Sequence, residues 1–408
     1  MKRYCIVVFL LLIPFASSYC QIFTDSNLPI VIINTNGIEI PDSPRLLADM
    51  KIIFRGKGLR NYISDQDTAE YLNYNGRINI EVRGSSSQTL PKKQYGFSTL
   101  LNDNVTEKNV SLLGLPADND WILNGLGFEP SLIRDYLCYN LSRMIGEYAS
   151  RTIYCEVILN GNYNGLYVLE EKIKQGSERV NITKMTTMDN SYPKVSGGYI
   201  IKADKPGNDP VAWKMQSNVV GDDPTFIYDY PKPEEITAPQ SYYIKSLFET
   251  LRNTTAASNA SLENGFPSII DIPSFVDFMI INELGSNADA YQYSTYFHKD
   301  RNGKLRAGPI WDLNLTFGYD LAIWGYNRSL TNVWQFSNGD NEGPKFWRDL
   351  FTNPEFRCCL YKRWNQLIQP GQPLNYASIE AVIDSAVARI SEAAVRENRR
   401  WGTVPNLS

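Results

Sequence analysis

Between Asn282 and Gly318 the chain gathers side chains that could do chemistry: Asn282-Glu283, then Asn287-Ala288-Asp289, then Trp311-Asp312-Leu313-Asn314 behind Gly308-Pro309. Carboxylate and carboxamide oxygens are the ligands that Mg2+ selects, and a carboxylate can also take a proton from a substrate hydroxyl. A helix ending just before Asp289, a strand over Tyr293 to His298, a turn at Asp300 to Gly303 and a return to Asp312 would bring both acidic groups to neighbouring strand ends. The same residues have plainer uses, since Asn287 can cap a helix and Asp300 and Asn302 are ordinary turn formers.

A second candidate is Arg83-Gly84-Ser85-Ser86-Ser87-Gln88-Thr89-Leu90-Pro91-Lys92-Lys93, a small-residue loop between two strand-like runs. Its amides and hydroxyls could contact phosphate oxygens, and an ammonium group on the following strand could neutralise them. Serine-rich loops are also simply turns. No Walker G-x-x-x-x-G-K-[ST] sequence occurs, Gly125-Leu126-Gly127 runs into Phe128-Glu129-Pro130 rather than a dinucleotide-binding turn, and neither H-R-D nor D-F-G is present, which excludes a conventional kinase. With His298 as the single histidine, His-rich zinc sites are excluded and a Ser-His-Asp site would have to use that residue.

These residues need a scaffold, and the composition supplies one. Hydrophobic residues make up 43% of the chain, while 40 Lys+Arg against 44 Asp+Glu leave a net charge of −4. That excludes a disordered chain and a strongly basic nucleic-acid binder. Residues 1–20, with Lys2-Arg3, an apolar run from Ile6 to Phe15 and small residues to Cys20, have the order of a cleaved signal peptide. Export to the periplasm or beyond is the expectation; a lipoprotein anchor at Cys20 is disfavoured by Tyr19 before it, and no later run is long enough to span a membrane. Export permits disulfides, so Cys138 with Cys155 is one option and buried free thiols the other.

From 21 to 200 the chain reads as strands and turns: Pro29–Asn34, Ile78–Val82, Lys92–Leu101, Trp121–Asn124, and a hairpin over Cys155–Ile173 turning at Asn160-Gly161. One helix, Pro130–Met144, interrupts them. The segment from Asp204 to Ala238 reads as an irregular connection. From 201 to 408 the pattern is mainly helical, over Tyr242–Arg252, Pro273–Leu284, Phe346–Phe351, Pro354–Ile368 and Ser378–Arg399. The expectation is an α+β, bilobal architecture with a cleft between a strand-rich and a helical lobe.

Several blocks, in order, resemble the CotH (spore coat protein H) kinase family, an atypical and exported branch of the protein-kinase fold: RGSSS at Arg83, LPADNDWIL at Leu115, SLIRDYL at Ser131, NGNYNGLYVLEEKI at Asn160, SGGYIIKAD at Ser196, INELGSNAD at Ile281 and AGPIWDLNLTFG at Ala307. The resemblance implies ATP-dependent phosphoryl transfer to Ser/Thr hydroxyls of proteins, with Mg2+ or Mn2+. It implies Asp289 as the catalytic acid-base residue and Asp312, with Asn314, at the metal. Arg83, Ser85, Ser86 and either Lys92 or Lys93 would hold phosphate; alternation along a strand lets only one of the lysines face the cleft. Glu170 and Glu171 would close a hinge whose amides read adenine, and Arg134-Asp135 would either brace the phosphate lysine or form a surface ion pair. The chain departs from the family's W-D-x-D by carrying Asn314, which ligates through a neutral carbonyl. That departure keeps a second reading open, a non-catalytic pseudokinase or adhesin-like binding module at the cell surface.

Overall fold

A computed structural model describes residues 23–402 apart from 128, 208, 220 and 320–329. The expected signal peptide at 1–20 lies outside the described residues. The chain begins with β1 (Asp25–Ser26), β2 (Ile30–Asn34), β3 (Leu46–Ile53), β4 (Asn61–Tyr62), β5 (Leu72–Arg83), β6 (Gln94–Thr99) and β7 (Asp120–Asn124). Helix α1 (Arg134–Met144) follows, then the hairpin of β8 (Thr152–Leu159) and β9 (Asn162–Glu171). Seven of these strands close into a barrel in the order β2-β3-β5-β6-β7-β9-β8, with β8 parallel to β2 at the seam. Alternate residues point inward, as the two-residue period of a strand requires, so that Val31, Ile33, Met50, Ile52, Ile78, Ile80, Phe97, Leu123, Val157 and Leu169 fill the interior. The hairpin turns at Asn160 and Gly161, both with positive φ (50° and 78°) as a two-residue turn of matching twist demands. Helix α1 starts four residues later than its sequence pattern suggests, because Glu129 accepts the backbone N–H of Ser131 (2.8 Å) and holds the preceding residues in turns.

Beyond the barrel come β10 (Tyr199–Ala203), β11 (Trp213–Lys214), β12 (Thr225–Tyr230), α2 (Ala238–Ala256), α3 (Phe266–Ile269), α4 (Ile272–Leu284), β13 (Thr295–Lys299) and β14 (Leu305–Ala307). Helices α5 (Phe346–Thr352), α6 (Pro354–Leu367) and α7 (Tyr376–Trp401) complete the described chain. The fold is mixed α+β, with seven α-helices among the described residues. The 204–238 segment is not a plain connection: it holds β11 and β12, which join β10, β13 and β14 in an antiparallel sheet ordered β11-β12-β10-β13-β14. Thr225-Phe-Ile-Tyr-Asp-Tyr has strand chemistry, hidden in the sequence by its Pro- and Asp-rich flanks. Helix starts follow local signals: Thr237 and Gln240 form a reciprocal capping box at α2, and Asp271 accepts Ser274 N–H (3.0 Å) at α4. Phe226, Phe248, Phe275, Phe297 and Trp347 knit this sheet to α2, α4 and α5 in a second core.

Helix α7 returns to the barrel. Its Ala386, Ile390 and Ala393 pack with Leu132, Ile133, Tyr154, Leu166 and Val168, so one helix seals both α1 and strand β9. Two buried ionic contacts accompany that packing. Arg396 pairs with Glu156, and Glu397 takes Lys92 Nζ at 2.5 Å while its other oxygen accepts Leu166 N–H at 2.7 Å. Cys138 and Cys155 are buried free thiols in different cores, so the disulfide option gives way to the simpler one.

Removing Lys92 as Lys92→Ala leaves Glu397 charged and unpaired in the interior, which should lower unfolding free energy by about 3–5 kcal/mol. A Lys92→Met, Glu397→Leu pair should lose much less; urea denaturation compares them. His298 gives a second test. Its Nδ1–H donates to Gly308 O (2.9 Å), and burial, aided by Arg306 and opposed by Asp271 and Asp300, lowers its pKa from 6.5 to about 4. The unfolded chain therefore binds this proton first, so stability falls as pH drops from 6.5 towards 4. His298→Gln should flatten that part of the stability–pH curve measured by thermal denaturation.

Candidate active site

A cleft of about 430 Å3 opens where the barrel rim, α1, the exit of β10 and the 289–315 segment meet. Arg83 ends β5 at its edge, and Gly84 turns the chain with φ 105°. A Cβ at Gly84 would sit 2.0 Å from Ser87 Oγ, so glycine is what lets the serine loop fold back, presenting Ser85 and Ser86 to the cleft. The Arg83 guanidinium lies over the Trp311 ring at 5.6 Å and makes no hydrogen bond or ion pair among the described residues.

Asparagines carry the chain out of α4 toward Asp289. Asn282 Nδ2 donates to Phe278 O (2.9 Å), Asn287 Nδ2 to Asn282 Oδ1 (2.9 Å), and Asp289 N–H to Asn287 Oδ1 (3.2 Å). Ala288 N–H then donates to Leu315 O (3.1 Å), which fastens this turn to the segment after Asp312. The two acidic groups expected to converge do so: Asp289 and Asp312 both line the cleft, with Asn314 beside them.

Asp312 sits in the left-handed region, φ 60°, a conformation costing a non-glycine residue about 1–3 kcal/mol. Helix α1 holds it there. Asp312 N–H donates to Tyr139 Oη (3.1 Å), Leu313 N–H to Asp135 Oδ1 (2.7 Å), and Arg134 Nε–H to Thr316 O (2.9 Å). Asp135 is thus neither a brace for a lysine nor half of a surface pair with Arg134, which pairs with Glu129 instead. Burial first, then the neighbouring Asp312, pushes the Asp135 carboxyl above the usual carboxylate range. Asp312 is raised by burial with Arg83 opposing, and Glu170 is driven well above the usual carboxylate range by burial and by Asp135. Glu170 is 1% exposed, lines the cleft, and has no hydrogen-bond partner for either carboxylate oxygen. Among the described residues no three acidic, histidine or cysteine side chains are grouped so as to hold a metal ion unaided.

Other sequence candidates lie elsewhere. Lys92 is buried against Glu397, Leu166 O and the Tyr167 ring, on the α7 side of the barrel. Lys93 Nζ donates to Gln88 O (2.6 Å), and neither lysine lines the cleft. Glu171 faces away from Glu170, as strand alternation requires, and binds Arg151 (2.8 Å) and Tyr148. Strand β9 lies between β7 and β8, so the Glu170 and Glu171 backbone groups are occupied by barrel pairing rather than free to read adenine. Sequence reasoning gave Asp135 another role and missed Asn124, Tyr139, Asp204, Lys202 and Lys205, all of them in the cleft wall. For Asp135 a signal existed: its i+3 and i+4 neighbours are Cys138 and Tyr139, which mark a buried helix face.

The family model described as CotH kinase protein matches residues 80–407, most of the chain. No curated protein matches it.

Asp135→Ala should free the Leu313 amide, while Asp135→Asn keeps a carbonyl acceptor in place. Hydrogen exchange read by mass spectrometry should show faster exchange across 312–316 in the alanine variant and near-native protection in the asparagine variant.

Proposed function

The chain belongs to the CotH kinase family, and we propose that it transfers the γ-phosphoryl group of ATP to Ser/Thr hydroxyls of exported or surface proteins, working as a bilobal, atypical kinase. The barrel (within 21–200) would form one lobe and the helical part (within 201–408) the other. The proposed signal peptide at 1–20 would place the enzyme outside the cytoplasm, and no helix among the described residues is long and apolar enough to cross a membrane. The observation that carries this reading is the convergence of Asp289 and Asp312, separated by a β excursion, on one cleft that Arg83 also lines without an ion pair among the described residues.

Asp289 would orient the acceptor hydroxyl and take its proton as the new O–P bond forms and the bond from γ-phosphorus to the β,γ-bridging oxygen breaks, releasing ADP. Mg2+ or Mn2+ held by Asp312, with the Asn314 carbonyl, would neutralise phosphate charge. The orphaned carboxylate of Glu170 beside Asp312 supports a cation at this place. Arg83 takes the phosphate-binding duty expected of Lys92 or Lys93, with the hydroxyls of Ser85 and Ser86 as further donors. A planar guanidinium matches phosphate oxygens two at a time, which an ammonium does not. Asn314 is the one residue that favours the alternative, a nucleotide-binding or empty scaffold without transfer.

With labelled ATP and Mn2+, Asp289→Ala and Asp312→Ala should each lower incorporation into protein by two or more orders of magnitude, the scale of removing one charge-stabilising group. Arg83→Met should raise KM for ATP about tenfold or more. Equal incorporation by wild type and Asp312→Ala would overturn the kinase reading.

A further inference from the structure

We propose that Glu170 supplies the cation site with the second carboxylate that Asn314 cannot. This rests on the phosphoryl-transfer reading above and adds a ligand from the barrel wall to those that the Asp312 segment provides.

The argument starts from an unmet requirement. A carboxylate removed from water needs donors or a close counter-charge, and both Glu170 oxygens are buried without a hydrogen bond or an ion pair, with Asn124 and Arg83 offsetting its burial only in part. Its own strand cannot help, because β9 is interior to the closed barrel and its N–H groups serve the ladder with β7 and β8. The nearby Asn124 carboxamide donates to Asp135 (3.3 Å). The one nearby cation, Arg83, is stacked on Trp311 and forms no ion pair with it. The remaining neighbours, Asp135 and Asp312, carry the same charge sign and make the position worse.

Contrast Glu171, the next residue, whose side chain is as fully buried but has Arg151, Tyr148 and the Arg151 backbone amide as partners. Of the two adjacent glutamates, the one aimed away from the cleft is satisfied within the fold and the one lining the cleft is not. A hard divalent cation between Glu170 and Asp312 satisfies both and turns their repulsion into shared coordination. Asp135 stays engaged with Leu313 N–H and so acts on the geometry of Asp312 rather than on the cation.

Mn2+ in the presence of a non-hydrolysable ATP analogue is the probe, read by isothermal titration and by thermal denaturation of the full chain. Glu170→Gln is isosteric and replaces a buried carboxyl that the fold leaves without a partner, so without Mn2+ it should melt at or above the wild-type temperature, which also reports that it folds. Its Mn2+ affinity should fall at least about tenfold and its Mn2+-induced rise in melting temperature should shrink accordingly. Glu170→Asp should recover part of that affinity, and Asn314→Ala should cost less than Glu170→Gln. Wild-type Mn2+ affinity in Glu170→Gln overturns the inference. If Asp312→Ala alone abolishes Mn2+ binding in that case, the kinase reading survives without it; if Asp312→Ala also binds Mn2+ normally, the proposed metal position itself fails.

Discussion

Everything the cleft can do depends on three hydrogen bonds between helix α1 and the loop that carries Asp312. A left-handed aspartate is an unfavourable local conformation, and it persists only where surrounding contacts over-determine it. Tyr139, Asp135 and Arg134 provide those contacts to Asp312, Leu313 and Thr316. Because Asp135 is itself a buried carboxylate, the bond to Leu313 N–H serves two needs at once: it fixes the loop and gives the charge a donor. The position of α1 therefore sets the position of Asp312.

What sets α1 is packing from the far end of the chain. Ala386, Ile390 and Ala393 of α7 press Leu132 and Ile133 against Tyr154 and Val168 of the barrel. The last turns of α7 are pinned to β9 by Glu397 on Leu166 N–H and by Trp401 Nε1–H on Asn164 O (2.9 Å). Lys92, which reads in the sequence as a phosphate ligand, belongs to this support. Its neighbour Lys93 ties to Gln88, and Gln88 Nε2 in turn holds Gly84 O (2.9 Å), so the serine loop hangs from the same anchorage. A long-range chain of contacts, rather than any local motif, connects the terminal helix to the cleft rim.

The sequence made some of this legible and not the rest, for physical reasons. Strands such as Ile30–Asn34 and the Asn160-Gly161 hairpin are declared by β-branched alternation and by residues that tolerate positive φ, both local properties. The meeting of Asp289 with Asp312 followed from a helix stop and a short β excursion, again local. Barrel closure is not local: β8 pairs in parallel with β2, and no pattern in either run announces it. Closure also decides which side chains are free, since it spends the backbone of β9 and leaves only Glu170 to face the cleft. Lys92 and Asp135 were misread for one shared reason. A charged residue in a sequence suggests a ligand or solvent as its partner, whereas both are buried and their partners lie in distant segments of the chain.

Charge balance constrains what the cleft can accept. Its lining carries Arg83, Lys202 and Lys205 against Asp135, Glu170, Asp204, Asp209, Asp289 and Asp312. Lys202 already lies 3.6 Å from Asp204 and 3.4 Å from Asp209, so its field is largely spent. A bare polyphosphate entering this wall would meet repulsion on most sides, and a bare cation would lack a preassembled cage. The two together would cancel, since phosphate oxygens would supply the ligands a cation lacks here and a cation would screen phosphates from the carboxylates. A wall this rich in acids, two of them buried, would on the proposed reading be matched to a metal–phosphate pair, since neither partner alone answers the carboxyl groups that Glu170 and Asp312 place there.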